Sequence, residues 1–275
     1  MKPAPFSLYL AETVDEALGV LSERGDEARI LAGGQSLAAM LNMRLSRAQV
    51  VVDISEVESL RAITVRDGAI EVGAAVTQEQ LMRWPRLEES QPLLAKMLPF
   101  VGHYQTRQRG TVCGSLAHAD PSSELPLALR VLRGEVVLRS QRRQRSLDAA
   151  AFQTGMMATA IEPDEMIVAC RFPVAGAGSV SAFAEVSQRH GDFAIVAIGG
   201  VGTAEGARLG VAGVAPVPAV IDVPWSGRLQ LASTLNDFAW RLGATDDRHA
   251  TARYRRELVR RLATRLYEEM ADAFV

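Results

Sequence analysis

Arg109-Gly110-Thr111-Val112-Cys113-Gly114-Ser115-Leu116-Ala117-His118-Ala119-Asp120-Pro121 is a run in which a polar, basic turn (Arg107–Gly110) passes into a loop of small residues, Thr111–Ser115. Asp120-Pro121-Ser122-Ser123 then opens a helix that reads through Leu132. A second such loop lies upstream. Ala32-Gly33-Gly34-Gln35-Ser36-Leu37 follows the short apolar strand Ala28–Ala32 and leads into a helix marked by Leu37, Met40 and Leu41. Both loops carry small residues that let a ligand approach the backbone closely. Both offer successive N–H groups beside Ser or Thr hydroxyls, a nest that binds phosphate oxygens, and a helix N-terminus strengthens the effect. Tight strand-to-helix turns use the same residues. Either loop alone therefore reads as a structural turn or as a phosphate site.

The chain has 275 residues, 48% apolar and 23% charged, enough for one large or two modest domains with a core that needs no disulfide staples. A net charge of -2 gives no electrostatic drive toward nucleic acid. No run approaches the roughly 18 apolar residues of a membrane helix, because Phe193–Gly202 and Leu209–Ile221 are broken by glycine or proline. The start, Met1–Leu10, lacks a signal-peptide core, so a soluble cytoplasmic protein without an integral membrane segment is expected. Cys113 and Cys170 make no disulfide framework. His103, His118, His190 and His249 have no second ligand at metal-binding spacing, so no metal site is expected. P-loop and nucleophile-elbow motifs are absent. Gly200–Gly206 only loosely resembles a dinucleotide fingerprint, and no helix pattern follows it. With no cysteine array for an iron–sulfur cluster, any redox cofactor of this chain would be organic.

Thr13-x-x-Glu16 is a capping box that starts a helix with Val14, Ala17, Leu18 and Leu21 on one face, and Gly25 ends it. Val50–Asp53 reads as a strand, and Asp67-Gly68 joins Ile63–Val65 to Ala69–Val72 as a hairpin. Thr77–Trp84 and Pro92–Val101 read as helices, Val136–Arg139 and Met166–Arg171 as strands. The break at Phe172–Gly178 is the best domain boundary. Beyond it, Val180–Val186, Ala194–Gly200 and Ala207–Val214 suggest three antiparallel strands, followed by helices Arg228–Ala239 and Asp247–Ala271. In the last helix Leu258, Leu262, Leu266 and Met270 line one face, and arginines cover the other as a solvated surface.

Two nests converging on one ligand would suit a pyrophosphate held from both sides, as FAD requires. At these residues the chain resembles the FAD-binding medium subunit of molybdenum-containing hydroxylases. That group includes carbon monoxide dehydrogenase, xanthine dehydrogenases, and bacterial nicotine, quinoline and purine-alkaloid dehydrogenases. Pro3-Ala4-Pro5-Phe6 with the capped helix is similar to the family's start, Ala32–Leu37 to its first flavin loop, Arg109–Pro121 to its longer second signature, and Gly191-Asp192-Phe193-Ala194 to a motif of its C-terminal domain. The resemblance implies an α+β fold. Residues 1–173 would be a two-subdomain FAD-binding domain of the vanillyl-alcohol-oxidase (PCMH) type. Residues 178–275 would be a small domain of antiparallel sheet and helices, with FAD between the two.

The resemblance also implies roles. Ala32, Gly33, Gly34, Gln35, Ser36 and Leu37, with Thr111, Cys113, Gly114 and Ser115, would hold the pyrophosphate and ribityl chain. Val101 and Ile167 would be apolar walls, Asp120 part of the signature, Glu124 a partner of a cofactor hydroxyl, and Phe193 a neighbour of the flavin ring. The ordinary readings are a helix-N-terminal charge for Glu124, a core aromatic for Phe193 and a structural role for His118. Many relatives carry a lysine where this chain has Glu185. A cation there would stabilise reduced flavin, so its absence bears on potential and acceptor. The implied function is electron transfer, with no catalytic acid, base or nucleophile on this chain. Molybdopterin would sit on a large partner subunit and two two-iron two-sulfur clusters on a small one, in a dimer of heterotrimers. A stand-alone FAD-dependent reductase or oxidase on the same fold is the alternative.

Overall fold

The computed structural model describes residues 2–274. Its first layer is a parallel three-stranded sheet, ordered β1 (Ser7–Leu10), β3 (Val50–Asp53), β2 (Ala28–Leu31). Val51 and Val52 on the central strand are fully buried on opposite faces, as expected of a parallel sheet covered on both sides. Helix α1 (Val14–Arg24) packs its buried Val14, Ala17, Leu18 and Leu21 into the core. Thr13 accepts from the Glu16 N–H, and Gly25 ends the helix at positive φ. Glu16 reaches the N–H of Glu12, one residue short of the expected box. Helix α2 (Leu37–Asn42) follows the first glycine loop.

The second layer is an antiparallel sheet ordered β4 (Ile63–Arg66), β5 (Ala69–Gly73), β10 (Met166–Pro173), β6 (Glu135–Arg139), β7 (Gln144–Asp148). Asp67 and Gly68 both take positive φ, the geometry of a two-residue hairpin turn. Between β5 and β6 run α3 (Gln78–Met82), α4 (Leu87–Ser90), α5 (Pro92–Met97), α6 (Tyr104–Arg109), α7 (Val112–His118) and α8 (Glu124–Val131). After β7 come α9 (Ala149–Phe152) and the small hairpin β8 (Gln153–Gly155) with β9 (Ala158–Thr159).

Two expectations change here. The basic turn at Arg107–Gly110 is the end of helix α6, and the loop Thr111–Ser115 is the cap and first turn of helix α7. Thr111 Oγ1 accepts from the Gly114 N–H at 2.9 Å. A Thr cap followed by small residues is itself a helix start.

The third layer is an antiparallel sheet of four strands, not three: β11 (Val180–Val186), β12 (Val196–Thr203), β13 (Gly206–Ala212) and β14 (Ala219–Pro224). One face packs on α10 (Arg228–Arg241) and α11 (Ala252–Ala271), where Leu262, Leu266 and Met270 are buried. The other face meets α5 and α8 of the preceding layer. Glycines permit both contacts: a Cβ on Gly210 would stand 2.3 Å from Val131, and one on Gly200 would stand 2.8 Å from Met270. The glycines at 200–206 thus belong to a β-hairpin.

The arginine face of α11 also needs correction. Arg255 is buried, donating to Ile195 O at 2.8 Å, Gly213 O at 2.5 Å and Asp247 Oδ2 at 2.6 Å. It ties the last helix to the turns that end the sheet.

Candidate functional site

The first glycine loop and the cap of α7 touch. Gly33 lies so close to the second signature that a Cβ there would stand 2.0 Å from Arg109 O. Gly34 has φ +71°, which a side chain disfavours. Gly33 is therefore needed for the two backbones to meet, a reason that composition does not reveal. The second segment is pinned from below: Gln78 N donates to Gly110 O at 2.8 Å and Val112 N to Val76 O at 3.1 Å.

The junction opens into a cleft of about 750 Å³, within the roughly 300–1,000 Å³ usual for small-molecule and cofactor sites. Its wall includes every residue from Ala32 to Leu37, together with Thr111, Cys113, Gly114, Ser115, Val101, Glu124, Ile167 and Phe193. Asp120 does not reach the wall. Its carboxylate accepts from Ser122 N at 2.8 Å and shapes the turn into α8. Val101 and Ile167 are buried apolar wall residues. Gly191, Asp192 and Phe193 bring the third layer to the same cleft. Phe193 is 59% exposed, so it stands at the mouth and not in a core. His118, on the last turn of α7, also lines the cleft.

Several wall residues escaped sequence reasoning. Gln78 is buried, and its Oε1 has no hydrogen-bond partner. Arg29, Met157, Ile161–Pro163, Glu165 and Met166 extend the cleft beyond the first loop. Arg29 curls onto its own turn, donating to Asp26 O and Ala28 O. In the Ile161–Ile167 segment, Glu165 is anchored by Arg145 through bonds of 2.8 and 2.7 Å. Burial opposes the charge of Glu165, but the Arg145 bonds overbalance it and hold the carboxyl below its ordinary value. Arg107 of α6 holds the backbone at Val101 and Gly102, both at 3.1 Å, with its Nε 3.6 Å from the buried Glu79. Apart from the short-range bonds of Arg29 and Arg107, these contacts join residues far apart in the chain, and only the pairing of Thr77 with Gln80 around α3 has a sequence signal, a capping box.

Two pairs of titratable groups sit beside the cleft. Burial pushes the Cys170 thiol well up, with Cys113 beside it. Both cysteines are free and buried, and they pack as small apolar groups. Glu124 is the first residue of α8 and is buried. Burial, reinforced by the neighbouring Glu185 and Asp120 and opposed by its own backbone N–H, brings its carboxyl to about 8. Burial raises Glu185 as well. Among the described residues no group of three metal-ligating side chains occurs, and no helix is long and apolar enough to cross a membrane.

The family profile described as the FAD binding domain in molybdopterin dehydrogenase matches residues 4–175. The chain belongs to this family. The 6-hydroxypseudooxynicotine dehydrogenase complex subunit alpha of Paenarthrobacter nicotinovorans is 39% identical over 71% of this chain. The match spans just under two thirds, 66%, of that relative's length. The nicotine 6-hydroxylase medium subunit of the same organism is 30% identical, with 94% of each chain covered. The crystal structure of quinoline 2-oxidoreductase from Pseudomonas putida 86 superposes with a TM-score of 0.92 at 28% identity, covering all of both chains. The α+β architecture and the FAD-binding character follow from this membership. The cleft fits the cofactor: its wall brings together the small residues of two chain segments, apolar walls at Val101 and Ile167, and an unpartnered acceptor at Gln78.

Proposed function

We propose that this chain is the electron-transfer flavoprotein subunit of a cytoplasmic molybdenum hydroxylase complex. It takes electrons from the iron–sulfur clusters of a small subunit, which a large molybdopterin subunit feeds, and passes them to an external acceptor. The complex is a dimer of heterotrimers. The observation that carries this reading is the single cleft drawn from both glycine segments and from Gly191–Phe193. Bound FAD supplies the redox chemistry, and the residues of the chain bind, orient and shield it.

The backbone between Ala32 and Ser36 offers donors to the diphosphate, and the small residues Thr111–Ser115 let it approach from the other side. Val101 and Ile167 exclude water from the ring. Phe193, at the exposed mouth, leaves an edge of the cleft open toward a docked electron donor. No nucleophile is required of this chain.

The purified chain should be yellow, and acid precipitation should release the colour into the supernatant, since the reading calls for non-covalent FAD. In stopped-flow experiments an aldehyde or nitrogen heterocycle should bleach the flavin only with both partner subunits present. Rapid bleaching of the isolated chain by such a substrate would overturn the electron-transfer reading in favour of a stand-alone flavoenzyme. A colourless, folded chain that cannot be reconstituted would remove the flavin.

A further inference from the structure

Glu124 and Glu185 come from distant parts of the chain, the start of α8 and the strand β11. They meet where the second and third layers join. Glu124 lines the cleft, whereas Glu185 stands behind it and does not. Both oxygens of Glu185 are buried, and no hydrogen-bond donor reaches either of them among the described residues. The two side chains are nevertheless within hydrogen-bond reach of each other. Ionised carboxylates only accept hydrogen bonds, so two of them in contact require a proton on one.

The surroundings supply no compensating cation. Asp120, in the turn before α8, adds a further negative charge near Glu124. The Ser187 hydroxyl is the polar group beside Glu185 on its own strand end. From α5, the Lys96 ammonium is taken up by Ser181 O at 2.5 Å. His190 lies edge-on against Phe100, and His118 is on the cleft wall. Among the described residues neither glutamate forms an ion pair with any of these groups. Two like charges at close quarters in a desolvated site leave one group protonated.

We propose that Glu124 and Glu185 form one carboxylic acid–carboxylate dyad that holds a single proton at neutral pH and delivers it into the cleft when negative charge arrives there. Glu124 faces the cleft, and Glu185 is a positioning residue that keeps the proton on it. The proton transfer rests on the flavin reading above; the shared proton itself does not. When a one-electron donor of the iron–sulfur class adds charge to the bound cofactor, an O–H bond of the dyad breaks and its proton moves to that charge. The doubly ionised pair left behind is unfavourable in this desolvated site, so solvent returns one proton to it through the cleft mouth.

Two measurements on the full chain test this. The first is proton release on unfolding at pH 7, from calorimetry in two buffers of different ionisation enthalpy. Wild type should release about one proton more than Glu185→Gln, whose amide donates to Glu124 and leaves it ionised. Glu124→Gln should show the same loss, which covers the case in which one variant does not fold. A deuterium-sensitive carboxylic acid band in the infrared should vanish in the same variants. Equal proton release in all three proteins overturns the dyad. The second measurement is the pH dependence of the bound flavin's midpoint potential in dithionite titrations. Its slope should break near pH 8 in wild type, where the dyad titrates, and the break should disappear in Glu185→Gln. Superimposable slopes overturn the delivery step. A folded chain that takes up no flavin overturns both the proposed function and the delivery step, while the unfolding measurement still decides the shared proton.

Discussion

The cleft wall and the helical face of the third layer spend their polar groups in opposite ways. Behind the sheet, Arg255 is buried with two backbone carbonyls and Asp247 as partners, and Asp247 also accepts from the backbone of Ala250 and His249. On the cleft wall Gln78 Oε1 has no donor, and behind the wall neither oxygen of Glu185 has one. Buried polar groups without partners are costly and uncommon. Where the molecule is built for cohesion it closes its hydrogen bonds, and where it is built for a ligand it leaves some open.

Gly33→Val attacks the cleft most severely. A Cβ 2.0 Å from Arg109 O forces two backbone segments apart, so flavin should be lost completely and stability should fall by about 3 kcal/mol or more. Flavin content and a urea melt check both. This is a larger effect than crowding of phosphate space alone, because the fold itself must shift.

Arg255→Ala tests the opposite region. Removing the buried guanidinium leaves Ile195 O and Gly213 O without their donor and should cost about 2–3 kcal/mol in a urea melt, while flavin per folded molecule stays near one. Loss of flavin at equal folding would erase the contrast between the regions.

Acid titration gives the same contrast a sign. Backbone N–H bonds from Ala250, then from His249, with Arg255 beside it, hold Asp247 down at about 2 against opposing burial. Its stabilisation is present above the unfolded value and is lost as pH falls through about 2. Glu124 has a raised value, so its contribution is present at low pH and lost as pH rises toward about 8. Asp247→Asn should therefore flatten the acid limb of a melting-temperature profile and leave the alkaline limb intact.

Gln78→Leu should leave the apo chain as stable as wild type, or more so by about 1 kcal/mol, because it removes an unpaired buried acceptor. The same change should weaken flavin retention, read by dilution and fluorescence. Phe193→Ala is the mildest case. For a side chain 59% exposed, stability should move by less than about 0.5 kcal/mol, with a visible change in the flavin spectrum.

Much of the fold was legible because its signals are local. The Thr13 cap, the Asp67-Gly68 turn and the apolar run Val50–Asp53 form what their own residues favour. Helix α6 was not, since none of its residues is buried and no apolar stripe marks it; Glu79 of α3 fixes it from outside through Arg107. The fourth strand, β14, hides between Pro216, Pro218 and Pro224, and an edge strand tolerates that. The polar edge strand β7 hides for a similar reason. At the site, small residues made both glycine segments visible as candidates. Gln78, Ile161–Met166 and the inward turn of Arg255 depend on partners far along the chain, which no local pattern encodes. The meeting of Glu124 with Glu185 is of the same kind.

The middle strand of the second sheet, β10, pairs with β5 on one side and β6 on the other. During synthesis, β4 and β5 leave the ribosome first and must wait for β10. At roughly 5–20 residues per second, that delay is on the order of ten seconds. Throughout it the β5 edge, with Ile70 and Val72 destined for the core, is open to wrong partners. Strands β4 and β5 form a hairpin that can close alone, but its inner edge stays unpaired until β10 emerges. A nascent chain stalled before Met166 should accordingly bind trigger-type chaperones and be cut readily by protease, and one stalled well beyond Pro173 should resist.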